Sequence, residues 1–188
     1  MKPQIILGID PGPVRTAWVL VHGSGENTRV LDSDWSKNEK VADDIRSSAV
    51  GGSVIQRVVC EDVRSYGLAV GETVFMTCRW IGRFWEMFEG YTEFIRADEP
   101  TIKIHLCGVA KAKDTNVRRA AFDRFEPYGG GKTPEVGTKK QPGPLFEMYQ
   151  KASAINKQIK AETGRDVNSQ QHFVSALAAA VYGKELVI

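Results

Sequence analysis

Cysteine is scarce in these 188 residues, and Cys60, Cys78 and Cys107 stand far apart with none of the close pairing that zinc sites use. This spacing argues against a disulfide framework and against a structural zinc, and it makes a reducing cytoplasm the expected setting. Long apolar runs are missing as well. The stretch Gln4 to Ile9 is only a strand's length and runs straight into an acid, so it reads neither as a secretion signal nor as a span. Nothing else approaches the roughly 20 apolar residues that a membrane crossing needs. No internal repeat is present. A large excess of one charge is also lacking, since the net charge is +2. The 42% of apolar residues suffice for one sizeable core, so a single domain over residues 1–188 is the expectation.

The small net charge hides an uneven distribution. Residues 1–100 hold 11 Lys+Arg against 15 Asp+Glu, whereas residues 101–188 hold 14 against 8. A phosphate-binding surface built from the second half fits this bias, and so does an ordinary solvated helix face.

The pattern of apolar residues predicts an α/β fold. Gln4 to Ile9, Arg15 to Val21 and a short run at Thr28 to Leu31 read as a strand meander with a turn at Gly23 to Asn27. Asn38 to Val50 has weak helical spacing, and Val54 to Cys60 reads as a buried parallel strand. Val74, Cys78, Ile81, Trp85 and Phe88 recur at steps of three and four, which predicts an amphipathic helix with Trp85 on its packed side and leaves Trp80 open. Thr101 to Leu106 alternates as a strand. Asp114 to Phe125 and His172 to Tyr182 are helical, and Arg83, Trp80 and Trp85 are expected in a core or subunit contact rather than stacked on bases. Glu126 to Pro144, with five glycines and four prolines, is expected to be a loop or partly disordered.

Two acids carry the candidate chemistry. Asp10 ends an apolar strand within Gly8-Ile9-Asp10-Pro11-Gly12, where Pro11 and Gly12 force a tight turn and leave the carboxylate little freedom. A strand followed by Asp and Gly also opens the ATP-binding folds of the sugar-kinase and actin type. Glu61 ends the strand that stops at Cys60, and adjacent parallel strands bring their ends to one rim. Two converging carboxylates repel unless a cation joins them, so a Mg²⁺ or Mn²⁺ site is expected. Asp62 must point away if Glu61 points in.

Gly-Ile-Asp-Pro-Gly at the first strand, Glu61 after the fourth, and His172-Phe173-Val174-Ser175-Ala176-Leu177-Ala178 on the last helix resemble, in order and spacing, the phage RuvC-like Holliday junction resolvases of the RNase H-like superfamily. The stretches from Ser65 to Phe84, from Cys107 to Arg118 and from Lys140 to Leu145 are similar to other segments of that family. The likeness covers nearly the whole chain except about 146–170, which looks like an insertion.

The resemblance implies an RNase H-like mixed five-stranded sheet flanked by helices, a homodimer, and metal-dependent hydrolysis of phosphodiesters in branched DNA in the cytoplasm of a phage-infected cell. No nucleotide cofactor is implied. Asp10, Glu61 and His172 would be the ligands of two Mg²⁺ or Mn²⁺ ions about 4 Å apart, and Ser175 would complete the catalytic set. Lys111, Lys113, Arg118, Arg119, Lys139 and Lys140 would contact DNA phosphates. The last helix departs from the family, which places one or two acids where this chain has His172 and Ser175. Asp114 or Asp166 is a candidate to compensate. A branched-DNA-binding protein with impaired cleavage is the alternative.

Overall fold

The computed structural model describes residues 4–24, 27–49, 55–65, 67 and 69–186. Five strands form one mixed sheet in the order β3-β2-β1-β4-β5: β1 (Gln4–Pro11), β2 (Arg15–Ser24), β3 (Asn27–Lys37), β4 (Arg57–Asp62) and β5 (Glu93–Asp98). The first three pair antiparallel as a meander, and β1, β4 and β5 run parallel. Six helices complete it: α1 (Asn38–Ala49), α2 (Glu72–Phe88), α3 (Glu99–Cys107), α4 (Asp114–Phe122), α5 (Phe146–Thr163) and α6 (Ser169–Glu185). No helix among the described residues is long and apolar enough to cross a membrane.

Alternation along the strands sorts the core into two layers. Leu7, Ile9, Trp18, Val58 and Cys60 face α1 and α2, where Val41, Ile45, Trp80, Ile81, Phe84 and Phe88 are buried. Ile6, Val19, Val59 and Ala97 face the opposite layer of α3, α4, α5 and α6. There α6 lies directly on β1. A Cβ at Gly8 would sit 2.0 Å from the carbonyl oxygen of Ala176 and 2.6 Å from the nitrogen of Ala180, so only glycine admits this approach. Gly183 is pressed likewise onto Val59 and Ile6. Buried Arg57 on β4 ties down the far end of α6 through the carbonyls of Gly183 and Leu186, while its Nε bonds Glu93 at 2.7 Å. A buried guanidinium satisfied on several sides holds without the cost of an unpaired charge.

Several expectations need correction. Thr101 to Leu106 belongs to helix α3, not to a strand. Its Ile102, Ile104 and Leu106 suit either period, but the ends decide: Asp98 accepts from the Thr101 nitrogen at 2.9 Å as N-cap, Pro100 stands in the first turn, and Gly108 closes the helix at φ 76°. The third strand runs for 11 residues rather than four. On α2 the packed side is Trp80, Ile81, Phe84 and Phe88, so Trp85 is 47% exposed, with Arg96 over its ring. Arg83 lies over the ring of Trp80 at 4.2 Å and is itself exposed.

The segment 126–144 is ordered by its own backbone bonds. Gly129 N donates to Pro134 O, Gly130 N to Gln141 O, and Gly143 N to Val136 O, each at 2.9 Å. The stretch 146–170 contains α5, whose Met148, Ala152 and Ile159 are buried. Val50 and Val54, the predicted ends of a helix and a strand, lie outside the described residues, as do Tyr66 and part of the turn at 23–27.

Gly8→Ala is expected to destabilise the fold by about 3 kcal/mol or more, because the methyl meets helix backbone rather than a movable side chain. Urea unfolding measures it, and a loss under about 1 kcal/mol would contradict this packing.

Candidate active site

The site forms where the ends of β1 and β4 meet α6. Register places Ile9 opposite Cys60, so the next pair on the parallel strands is Asp10 and Glu61. Gly8 and Val59 face α6, and by alternation the residues two further along each strand do the same. Asp62 turns to the opposite side, with Arg96 at 3.8 Å.

The turn after Asp10 is pinned. Asn38 Nδ2 donates to Gly12 O at 3.0 Å in a half-buried bond, and the Thr16 hydroxyl donates to Asn38 Oδ1 at 2.8 Å in a buried one. A Cβ at Gly12 would lie 2.4 Å from Arg15 O, which explains the glycine. His172, one turn into α6, brings Nδ1 to 2.8 Å from Asp10 Oδ2. Its ring stacks on Trp35 at 5.0 Å and 12°, and Arg15 lies over the other ring system of this stack, 5.4 Å from the Trp35 centroid. The hydrogen bond to Asp10 raises the His172 pKa; burial opposes it and the Asp10 charge adds to it.

Ser175, one turn further along α6, faces a second part of the site. A cleft there is lined by Glu61, Glu99, Lys103, Asp114, Gln171 and Ser175 over an apolar floor of Ile102, Val117, Val174 and Ala178. Burial, then the charges of Asp10 and Glu99, push the Glu61 carboxyl up to about 8; Lys103 pulls it down and Asp114 adds to the rise. Lys103 is largely shielded from solvent and bridges Glu99 Oε1 at 2.6 Å and Asp114 Oδ1 at 3.4 Å.

These surroundings suit a hard cation. Among the described residues no hydrogen-bond donor reaches the Glu61 carboxyl, which also feels the charge of Asp10, an arrangement that a divalent ion relieves. Among the described residues no three His, Cys, Asp or Glu side chains stand close enough together to make a ready-made cage. Mg²⁺ needs none, since it commonly takes one or two carboxylates and fills its shell with water and substrate phosphate.

Glu99 and Lys103 are the site residues that sequence reasoning missed, and Asp114 was named only as a candidate to compensate, without its partners. The only signals for them were the helix cap at Asp98 and the first turn of α4. Asp114 does line the Glu61 cleft, whereas Asp166 pairs with Lys160 at 2.9 Å and is largely exposed. Lys111 and Lys113 are exposed between α3 and α4, with Lys113 at the N-cap of α4. Arg118 and Arg119 are exposed on α4, and Lys139 and Lys140 at the tip of the 126–144 loop.

Comparison with solved structures assigns the architecture. Thermus thermophilus RuvC matches 95% of this chain and 92% of its own at TM-score 0.56 and 17% identity. The fold is that of RuvC. T. thermophilus RuvC in complex with a Holliday junction substrate matches at TM-score 0.54 and 16% identity, over 95% of this chain and 91% of that one. The fowlpox virus Holliday junction resolvase matches at 13% identity over 95% and 97%, but at TM-score 0.45 it adds no weight. No protein-family model matches the sequence, and no curated protein does.

A carboxylate whose pKa is raised on folding favours the fold at low pH. For Glu61 that contribution is complete below its ordinary 4.5 and is lost as pH rises through about 8. In the absence of divalent ions, Glu61→Gln is therefore expected to melt higher than wild type at pH 8, by about 2–4 °C for each kcal/mol relieved, and level with it at pH 4. Thermal melts at both pH values test this; an equal gap at both would contradict the assigned environment.

Proposed function

We propose that this chain is a Mg²⁺- or Mn²⁺-dependent endonuclease that resolves Holliday junctions and related branched DNA. The observation that carries the reading is the pairing of Asp10 and Glu61 on one face of adjacent parallel strand ends, beneath His172 and Ser175, in a RuvC fold. Asp10 and Glu61 would hold the ion or ions. When bound, such ions supply the Lewis acidity that activates water and stabilises the leaving oxygen.

The chain's own residues supply position and charge. The Asn38 and Thr16 bonds hold the turn after Asp10 still, and Trp35 fixes the plane of His172. His172 sets Nδ1 against Asp10, a contact that favours the protonated imidazole, and is poised as ligand or proton carrier. Lys103 offsets the acids around Glu61, so that a phosphodiester meets a smaller repulsion. Lys111, Lys113, Arg118, Arg119, Lys139 and Lys140 would draw in the DNA backbone, reading shape rather than sequence.

A four-way junction has two symmetric cuts, which suits a homodimer. Helix α2 supports one. Phe75, Cys78, Gly82 and Trp85, spaced three, four and three apart, form an exposed seam, and the space where a Gly82 side chain would stand is open. A two-fold crossing of antiparallel α2 helices at Gly82 sets Arg79 of one copy near Glu86 of the other. Phe75→Glu is expected to convert a dimer into a monomer at micromolar concentration in sedimentation velocity, and an unchanged dimer would reject this seam.

A second reading, junction binding with impaired cleavage, is favoured by the neutral Ser175 at the Glu61 cleft. A labelled four-way junction with Mg²⁺ or Mn²⁺ separates the two. The nuclease reading expects paired nicks, loss of at least about 10²-fold in rate in Asp10→Asn, and little gain in Ser175→Asp. Tight binding without nicking, with nicking restored by Ser175→Asp, would establish the second reading; neither binding nor nicking would defeat both.

A further inference from the structure

A larger cleft lies on the other side of α4 from Glu61. Asp114 and Val117 face the Glu61 cleft, while Arg118, Arg119 and Phe122 line this one, a space of about 500 Å³ closed by the 126–144 loop and by Tyr149 of α5. Its wall is fixed by backbone packing. A Cβ at Gly137 would stand 2.3 Å from the Gly143 nitrogen, and the loop's internal bonds leave it nothing to order on binding.

The chemistry inside is that of an anion attached to a flat ring. Arg118 and Lys132 have no carboxylate partner among the described residues, so their charge is available to a ligand. Arg119 is held in place by Asp123 at 2.6 Å and by the buried Glu135 at 3.3 Å. Burial raises the Tyr149 pKa and the neighbouring charge of Arg118 opposes that rise, and the Tyr149 ring meets Phe122 edge-on at 5.8 Å. Cations beside aromatic rings are the elements from which proteins build sites for nucleotides. The volume is too large for a bare phosphate and falls within the roughly 300–1,000 Å³ of small-molecule sites.

We propose that the cleft bounded by α4, the 126–144 loop and Tyr149 binds one nucleoside monophosphate unit, its phosphate on Arg118 and Lys132 and its base toward Tyr149 and Phe122. The unit comes either from a DNA strand held beside the active site or from a free nucleotide. Only the first source rests on the nuclease reading.

The test titrates thymidine 5′-monophosphate, thymidine and inorganic phosphate into the full chain by calorimetry. The monophosphate is expected to bind at least about tenfold more tightly than either fragment, and Arg118→Gln and Lys132→Gln, both at exposed positions, to weaken it about tenfold each. Thymidine binding as tightly as the monophosphate, or full affinity in both variants, would overturn the proposal.

Junction binding across a salt series then assigns the source. A strand as ligand predicts that the double variant loses affinity and that its salt slope falls by about 1, since both cations hold one phosphate; an unchanged junction affinity alongside lost monophosphate binding assigns a free nucleotide. Phosphate-dependent binding without any junction nicking by the unsubstituted chain removes the nuclease reading and leaves this site, and nicking without such binding does the reverse.

Discussion

The contact between α6 and β1 governs the rest of the molecule. Because Gly8 has no side chain, the backbone of the helix at Ala176 and Ala180 occupies the space where a Cβ would stand. Arg57 clamps the other end to β4. With both ends fixed, His172 has one place to be, over Asp10, and Ser175 has one place to be, beside Glu61. Protein interiors of this density have little slack, so the site inherits its geometry from the packing and not from the flexible loops around it.

Much of this was legible from the chain because the informative residues are locally constrained. Gly8-Ile9-Asp10-Pro11-Gly12 names a strand end and its turn in five letters, and apolar runs before Asp10 and Glu61 have no other plausible use. The α/β layering followed from the alternation of strand-like and helix-like segments, whereas the five-stranded mixed sheet was what the resemblance implied, and its last strand is Glu93–Asp98 rather than Thr101 to Leu106. Where the reading failed, two structures competed for the same pattern. Ile102, Ile104 and Leu106 alternate like a strand, and only the cap at Asp98 and the left-handed Gly108 reveal the helix. The α2 stripe was displaced because Trp85 shares its spacing with both the buried and the exposed sides of a helix that is apolar on each.

Other features depend on tertiary contacts that no single segment announces. Glycines and prolines in 126–144 suggest disorder by composition, yet they permit the backbone to fold on itself so tightly that Gly129, Gly137 and Gly143 have no room for a Cβ. The grouping of Glu99, Lys103 and Asp114 joins the start of α3 to the start of α4 across a turn. In the sequence Glu99 and Lys103 were charges in a tally, and Asp114 was a candidate acid with no partner assigned. The uneven charge of the two halves becomes meaningful only with α4 in view, since its two sides look into two different clefts.

That arrangement bears on the missing acid at position 175. Burial first, and then the charges of Asp10, Glu99 and Asp114, disfavour the ionised form of Glu61, and its pKa stands at about 8 even with Lys103 opposing them. A further carboxylate on α6 would raise it again in the ion-free protein, at a site where burial has already made charge costly. Asp114 lines the same cleft from α4, across from Ser175 and paired with Lys103 at 3.4 Å, so an acid stands there although none comes from the last helix. The neutral Ser175 is then consistent with a site whose charge balance is struck between two helices, with Lys103 as the counterweight that limits how far its acids raise the Glu61 pKa.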